Sequence, residues 1–129
     1  MLEDSHTFGG ISVDDLDAAR AFYGGLLGFA LREQMGGLSV TLPGGGELWV
    51  YPKQNHLPAS FTVLNFSVPD IEAAVDALNA AGVATKIYDD TAFPTDERGI
   101  LRGRAAGYGP DIAWFRDPAG NVLALLDRG

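Results

Sequence analysis

The stretch SVDDLDAA, at Ser12–Ala19, returns as SVPDIEAA at Ser67–Ala74, an offset of 55 residues. The tripeptide LGF at Leu27–Phe29 then returns as AGV at Ala81–Val83, with one residue lost on the way. In both copies an apolar stretch leads into an acidic turn, a helical pattern and a Gly that precedes the next apolar stretch. A repeat of nearly half the chain indicates two similar supersecondary units, so we look for function on the surface that they share.

Length and composition predict one globular domain, spanning residues 1–129. Of the 129 residues, 47% are hydrophobic, which suits a packed core. The formal net charge of −8, from 17 acidic and 9 basic residues, disfavours a nucleic-acid partner, because that affinity depends on clustered Lys and Arg. The chain has no cysteine, which excludes disulfides and thiolate chemistry. No apolar run is long enough to cross a bilayer and the N-terminus is acidic, so we expect a cytoplasmic protein with no membrane partner.

The first unit, about residues 5–52, reads as a strand, a helix and three further strands. We predict a strand over 6–13, with Asp14 or Asp15 capping the helix that follows. Apolar residues at helical spacing give this helix one buried face, and Gly28 is placed to end it in a left-handed conformation. Strands are predicted over 29–34, 38–42 and 47–51, separated by Gly-rich turns.

The second unit, about residues 61–127, repeats this order after a polar connector over 52–60. Strands are predicted over 61–68, 84–88, 112–116 and 122–126, with a helix over about 70–81. A turn is predicted at Asp117–Asn121, where Pro fixes φ and Gly and Asn tolerate positive φ. The irregular segment 89–109 has a length that is common in lids and binding loops. Because helices follow only the first strand of each unit, the fold class is α+β, with two βαβββ units.

On these residues the chain resembles the vicinal oxygen chelate superfamily, which includes glyoxalase I, the bleomycin- and fosfomycin-resistance proteins and the extradiol dioxygenases. The resemblance covers essentially the whole chain. It rests on the following segments: His6–Phe8, Ser12–Leu16, Phe22–Tyr23, Leu26–Phe29, Phe66–Ile71 and Phe115–Asn121. It implies that the two units form a cupped mixed sheet with helices on its outer face. It also implies a homodimer, since relatives often pair.

Metal-dependent members of that superfamily use His, Gln or Glu on the first strand of each unit, and acids on the last strands. In this chain three of those positions fall on Phe8, Val63 and Ala124, and none of these apolar side chains binds a metal. The fourth falls on Glu47, or on Trp49 or Val50 after a small change of register. We therefore predict no cofactor.

A displaced divalent metal site at His6 and Glu47 is the alternative. His6 lies two residues before Phe8 and therefore on the same face of the strand. Two ligands make a poor catalytic centre, however, because catalytic zinc usually has three protein ligands.

Other candidate groups have plainer interpretations. His56 lies in the polar connector and is interpreted as a surface histidine. The cluster of Arg98, Arg102 and Arg104 is interpreted as a solvated Gly-rich loop, with an anion contact as the alternative. Asp89-Asp90 lacks the ligand spacing of a calcium loop and is also interpreted as solvated.

Strand parity gives the expected lining of the cup. Phe8, Gly10 and Ser12 face it from the first unit, and Val63, Asn65 and Ser67 from the second. The predicted ligand-binding residues are Phe8, Gly10, Trp49, Tyr51, Val63, Asn65 and Ala124. An apolar concavity with a few polar groups is typical of small-molecule sites.

Three functions follow from this lining, and the sequence leaves open whether the protein is an enzyme. The favoured one is metal-independent binding of a small apolar or aromatic ligand. The second is a metal-dependent lyase, isomerase or dioxygenase that uses His6 and Glu47. The third is a non-catalytic interaction module whose cup is packed shut by Phe8, Trp49 and Tyr51.

Overall fold

The computed structural model describes residues 1–89, 91 and 93–129. The chain divides into two compact units, Met1–Pro58 and Ala59–Gly129. Each unit contains one four-stranded, open mixed sheet with helices, so the α+β class and the two βαβββ units are confirmed. That the whole chain acts as one domain stays a prediction. In the described part of the chain, no helix is both long enough and apolar enough to cross a membrane.

The first unit contains β1 (Gly9–Val13), α1 (Leu16–Arg20), a π-helix (Ala21–Leu26), β2 (Ala30–Gln34), β3 (Gly37–Thr41) and β4 (Glu47–Pro52). The strand order is β1-β4-β3-β2, with β1 parallel to β4 and the other pairs antiparallel. One face of the sheet carries the core of the unit, where Ile11, Val13, Leu38, Val40, Leu48 and Val50 are buried. Because side chains alternate along a strand, the opposite face carries a second set of residues.

The first helix begins where the sequence predicts and changes from an α-helix to a π-helix half-way along its length. Of the two proposed caps, Asp15 is the one used, since its carboxylate accepts a hydrogen bond from the Ala18 N–H at 3.1 Å. The last six residues form a π-helix, whose wider turn shows in the bond from the Leu27 N–H to the Phe22 carbonyl at 2.9 Å. Gly28 follows with φ of 75°, which confirms the predicted left-handed ending.

The second unit contains β5 (Thr62–Val68), α2 (Ile71–Ala80), β6 (Ile100–Leu101), α3 (Gly103–Ala106), β7 (Ile112–Arg116) and β8 (Val122–Asp127). The order β5-β8-β7-β6 repeats that of the first sheet. The Asp70 carboxylate caps α2 by accepting hydrogen bonds from the Glu72 and Ala73 N–H groups. The two caps, Asp15 and Asp70, are repeat-equivalent, which explains why the acidic turn appears twice in the sequence.

The strand predicted over 84–88 is wrong, and the fourth strand of the second sheet lies instead at Ile100–Leu101. Ile100 pairs with Ala113 at the edge of the sheet and is fully buried. The 84–88 segment takes another course, because the Thr85 hydroxyl donates to the Arg98 carbonyl at 2.6 Å and the Tyr88 ring packs on Trp114. Segment 89–109 is therefore only partly irregular, since it contains β6 and α3.

The predicted Asp117–Asn121 turn is confirmed. The buried Asp117 carboxylate accepts from the backbone N–H groups of Ala119, at 3.0 Å, and Asn121, at 2.8 Å. The Asn121 amide oxygen accepts from the Ala59 N–H at 3.2 Å. The turn thus fixes both the β7–β8 connection and the start of the second unit.

Two of the three arginines of segment 89–109, Arg98 and Arg102, are half-buried in ion pairs, whereas Arg104 is exposed. Arg98 pairs with Asp76 and Glu72, and Arg102 with Asp96 at 3.1 Å and Asp111 at 3.4 Å. The Arg104 guanidinium donates to the Asp127 carbonyl. The interpretation as a solvated loop is therefore wrong for Arg98 and Arg102 and holds for Arg104, and the contacts of all three fasten the segment to its own unit. Asp89 accepts from Thr91, while Asp90 lies outside the described residues.

Candidate functional site

A cavity of about 490 Å³ opens on the face of the first sheet that lies opposite its buried core. Four of its eight lining residues, Phe8, Trp49, His6 and Glu47, were singled out from the sequence. The remaining lining residues are Arg32, Gln34, Met35 and Ser39. The Phe8 side chain is 57% exposed there, so an aromatic ring faces solvent in the cavity.

Strand register builds the floor of the cavity. Gly10 lies beside Trp49 across the β1–β4 pair, Ser39 lies beside Trp49 across β3–β4, and Arg32 lies opposite Ser39 across β2–β3. Paired residues direct their side chains to the same face of a sheet. One row of four residues therefore crosses all four strands, with a glycine at one end and a cation at the other.

The benzo edge of the Trp49 indole packs against β3 because Gly37 leaves room for it. A Cβ added at Gly37 would stand 2.7 Å from Cη2 of the indole and 2.6 Å from the Val50 carbonyl oxygen. A Cβ at Gly10 would stand 3.8 Å from Cδ1 of the same ring and 3.9 Å from Cε1 of Tyr51. The indole, which lines the cavity, thus reaches across to the backbone of β3 at Gly37.

His6 and Glu47 come together at the edge of the cavity. The imidazole Nε2 lies 3.7 Å from a carboxylate oxygen of Glu47, and the two side chains are 77% and 37% exposed. Among the described residues, no group of three or more His, Cys, Asp or Glu side chains converges to hold a metal ion. The pair therefore does not fit a resident catalytic ion, which needs at least a third protein ligand.

Sequence reasoning missed the environment of His56. Its Nδ1 lies 2.7 Å from the Ser12 hydroxyl, and both residues are half-buried. The bond joins the connector after β4 to the end of β1, 44 residues away in sequence. Strand parity predicts that the Ser12 side chain lies on the same face of β1 as Phe8 and Gly10. Nothing in the local sequence, however, indicates its hydrogen bond to His56 in the polar connector.

The predicted site residues of the second unit have mixed surroundings. Val63 is half-buried and Asn65 is exposed. Ala124 is only 1% exposed and pairs with both Asn65 and Trp114. The rings of Tyr88 and Phe93 lie 5.4 and 4.8 Å from the Trp114 ring. Ala124 therefore lies on a face that aromatic side chains of the same unit cover.

Comparison with known proteins agrees with this architecture. The family model described as the Glyoxalase/Bleomycin resistance protein/Dioxygenase superfamily matches residues 5–125. No curated protein matches the chain.

Among solved structures, TnmS3, an antibiotic binding protein from Streptomyces sp. CB03234, is 23% identical with a TM-score of 0.70, and all of both chains is covered. The fosfomycin resistance protein FosX from Listeria monocytogenes is 12% identical with a TM-score of 0.69, covering 98% of this chain and 94% of that one. A glyoxalase family protein from Enterococcus faecalis is 21% identical with a TM-score of 0.68, covering 98% and 100%. At these identities the likeness shows the fold alone.

Proposed function

Because this chain belongs to the glyoxalase/bleomycin resistance protein/dioxygenase superfamily, we propose that it binds a small aromatic or apolar molecule without a bound metal. The observation that carries the proposal is the indole of Trp49, packed against Gly37 in a cavity that it shares with the exposed ring of Phe8. A planar ring seated on this indole would bury apolar surface on both partners and gain the offset-stacking geometry that aromatic pairs prefer.

The contrast between the two repeats supports the first sheet as the binding face. The row Gly10–Trp49–Ser39 of the first unit corresponds to Asn65–Ala124–Trp114 of the second. In the second unit Tyr88 and Phe93 pack on the Trp114 end of that row, whereas a cavity lies over Trp49 and Ser39 in the first unit. A ligand ring in this cavity would lie over Trp49 and Ser39, on the face of the row where the protein's own rings pack against Trp114 in the second unit.

Relatives with this fold support ligand binding as a class of function. One is an antibiotic binding protein and another a fosfomycin resistance protein. The proposed activity of this chain is sequestration of an aromatic compound in the cytoplasm, by a homodimer as the resemblance implies. Location and pairing stay predictions.

Isothermal titration with 2-naphthalenemethanol, in excess EDTA, tests the proposal. We expect binding to survive the chelator and to weaken about tenfold or more in Trp49→Ala, since losing one buried aromatic contact costs roughly 1.5 kcal/mol or more. Tyr108→Ala removes an exposed aromatic of the second unit and is the matched control. Binding that Trp49→Ala leaves unchanged would contradict the proposal.

A metal-dependent lyase, isomerase or dioxygenase is the second candidate: His6 and Glu47 lie 3.7 Å apart, but among the described residues no third His, Cys, Asp or Glu joins them to complete a catalytic centre. A measurement of metal content separates the two functions. It is made on protein that has been incubated with manganese, iron(II), nickel and zinc, alongside the same titration. Near-stoichiometric metal that is lost in both His6→Ala and Glu47→Ala would replace the binding proposal with the enzymatic one.

A further inference from the structure

We propose that the ligand is an aromatic anion, a planar ring with a carboxylate or similar oxyanion that pairs with Arg32. This inference rests on the proposed function and adds the charge of the ligand to it. The observation that carries it is the cationic end of the cross-strand row, where Arg32 stands one strand beyond Ser39 and two strands beyond Trp49.

Arg32 differs in its contacts from the three arginines of the chain that pair with carboxylates, and it lines the cavity. Arg20, Arg98 and Arg102 each contact two or more carboxylates. The Arg32 guanidinium donates to the amide oxygen of Gln34 at 3.2 Å, and it forms no ion pair with any residue that the structure describes. In a chain of 17 acidic and 9 basic residues, a cation in a cavity without a carboxylate partner is a specific feature.

The acidic side chains nearest to Arg32 in the sheet are engaged elsewhere. Glu33, its neighbour in sequence, lies on the opposite face and pairs with Arg20. Glu47, the acid that lines the cavity, faces His6. The cavity is therefore divided, with the acid and the imidazole at one edge and an arginine at the other.

The spacing suits one ligand that reaches both the indole and the guanidinium. Neighbouring strands lie about 4.8 Å apart, so the backbones at Arg32 and Trp49 are separated by about 10 Å. A fused bicyclic ring stacked on Trp49 would direct a substituent toward β2, within reach of the extended Arg side chain. The Arg guanidinium binds a carboxylate through two parallel N–H bonds. The largely buried Ser39, which lies between Trp49 and Arg32 in the row, offers its hydroxyl as a further donor.

The test compares 2-naphthoate with 2-naphthalenemethanol, which has the same ring system and no charge. We expect the full-length protein to bind the naphthoate about tenfold more tightly, and added salt to reduce this preference because Arg32 is exposed. Arg32→Gln is expected to remove the preference by weakening naphthoate alone, and Arg32→Lys to restore part of it. Arg116→Gln, at an exposed arginine of β7, is the matched control and keeps the preference.

The outcomes separate the two proposals. Equal affinity for both compounds, or a preference that survives Arg32→Gln, overturns the anion inference and leaves the aromatic site standing. Failure of both compounds to bind, or binding that does not respond to Trp49→Ala, overturns the proposed function and this inference with it. A urea midpoint close to that of the unmodified protein shows that Arg32→Gln is folded.

Discussion

At the scale of single residues, Gly37 determines where the Trp49 indole lies. Gly37 is buried in β3 against the benzo edge of the ring, and its missing side chain is what leaves room for the indole there. A methyl group there would meet the ring at 2.7 Å and the Val50 carbonyl oxygen at 2.6 Å. The carbonyl oxygen cannot yield without moving β4, because it belongs to the backbone of that strand, so the indole must also shift.

We therefore expect Gly37→Ala to lower the free energy of unfolding by about 1–3 kcal/mol, the usual cost of overpacking. The substitution should also weaken 2-naphthalenemethanol binding, because the displaced indole no longer lies where the ligand ring is expected to stack. Urea unfolding and isothermal titration measure the two effects. Gly25→Ala is the matched control, since an added Cβ there meets no atom within 4 Å. A Gly37→Ala protein with unchanged stability would show that the indole does not rest on β3.

At the scale of elements, the segment between α2 and β7 departs most from the sequence prediction. The sequence ATKIY at 84–88 is rich in residues that favour strands, but Tyr88 belongs to an aromatic cluster with Phe93 and Trp114. The short Ile100–Leu101 strand has only two residues, too few to form a recognisable period. Asp96 fixes the turn that leads into that strand, because its carboxylate accepts hydrogen bonds from the Arg98 and Ile100 N–H groups, both at 2.9 Å.

Stability should depend on pH through this Asp96 turn. Burial alone raises the pKa of Asp96, but the backbone N–H groups of Ile100 and Arg98, together with Arg102, outweigh it and hold the pKa below its ordinary value. A carboxyl group with a depressed folded pKa stabilises the fold above the unfolded pKa, about 3.9, and this stabilisation is lost as the pH falls through the lower folded value.

Asp96→Asn is therefore expected to lower the free energy of unfolding by about 1–2 kcal/mol at pH 7, in keeping with charge-assisted hydrogen bonds. The difference from the unmodified protein should shrink as the pH falls below about 3.9. Urea unfolding at a series of pH values gives both curves, with Asp14→Asn as the matched exposed substitution. A difference that stays constant across this range would remove Asp96 from the acid response.

At the scale of the whole molecule, the repeat carries most of what the sequence can predict. The two acidic caps, the glycine exit at Gly28 and the Asp117–Asn121 turn are local signals, and local hydrogen bonds enforce each of them. The α+β class follows from their order. Strand parity likewise brought Phe8 and Trp49 to the same cavity.

The remaining features of the site depend on contacts between residues far apart in sequence. The Ser12–His56 bond spans 44 residues, and the position of Arg32 in the row follows from the β2–β3 register. That register depends on where the two-residue turn at Met35–Gly36 falls, with Met35 itself at positive φ. Composition and period do not encode such pairings.

The repeat also predicts a difference between the two tryptophans. Trp49 borders an open cavity, whereas Trp114 is 8% exposed beneath Phe93, which is itself 38% exposed. In a Trp49→Phe background, where Trp114 is the only fluorophore of its kind, acrylamide should quench the emission weakly. Adding Phe93→Ala removes the stacked ring and should increase the quenching constant several-fold.

Phe61→Ala in the same background is the matched control, because it removes an exposed phenylalanine that lies outside the Tyr88–Phe93–Trp114 cluster. We expect it to leave the quenching unchanged. If Trp114 is already quenched as strongly as a free indole, the second sheet is not covered by its own rings. The asymmetry between the repeats would then no longer favour the first sheet as the binding face. In that case we would expect the titration with 2-naphthalenemethanol to give two sites per chain instead of one.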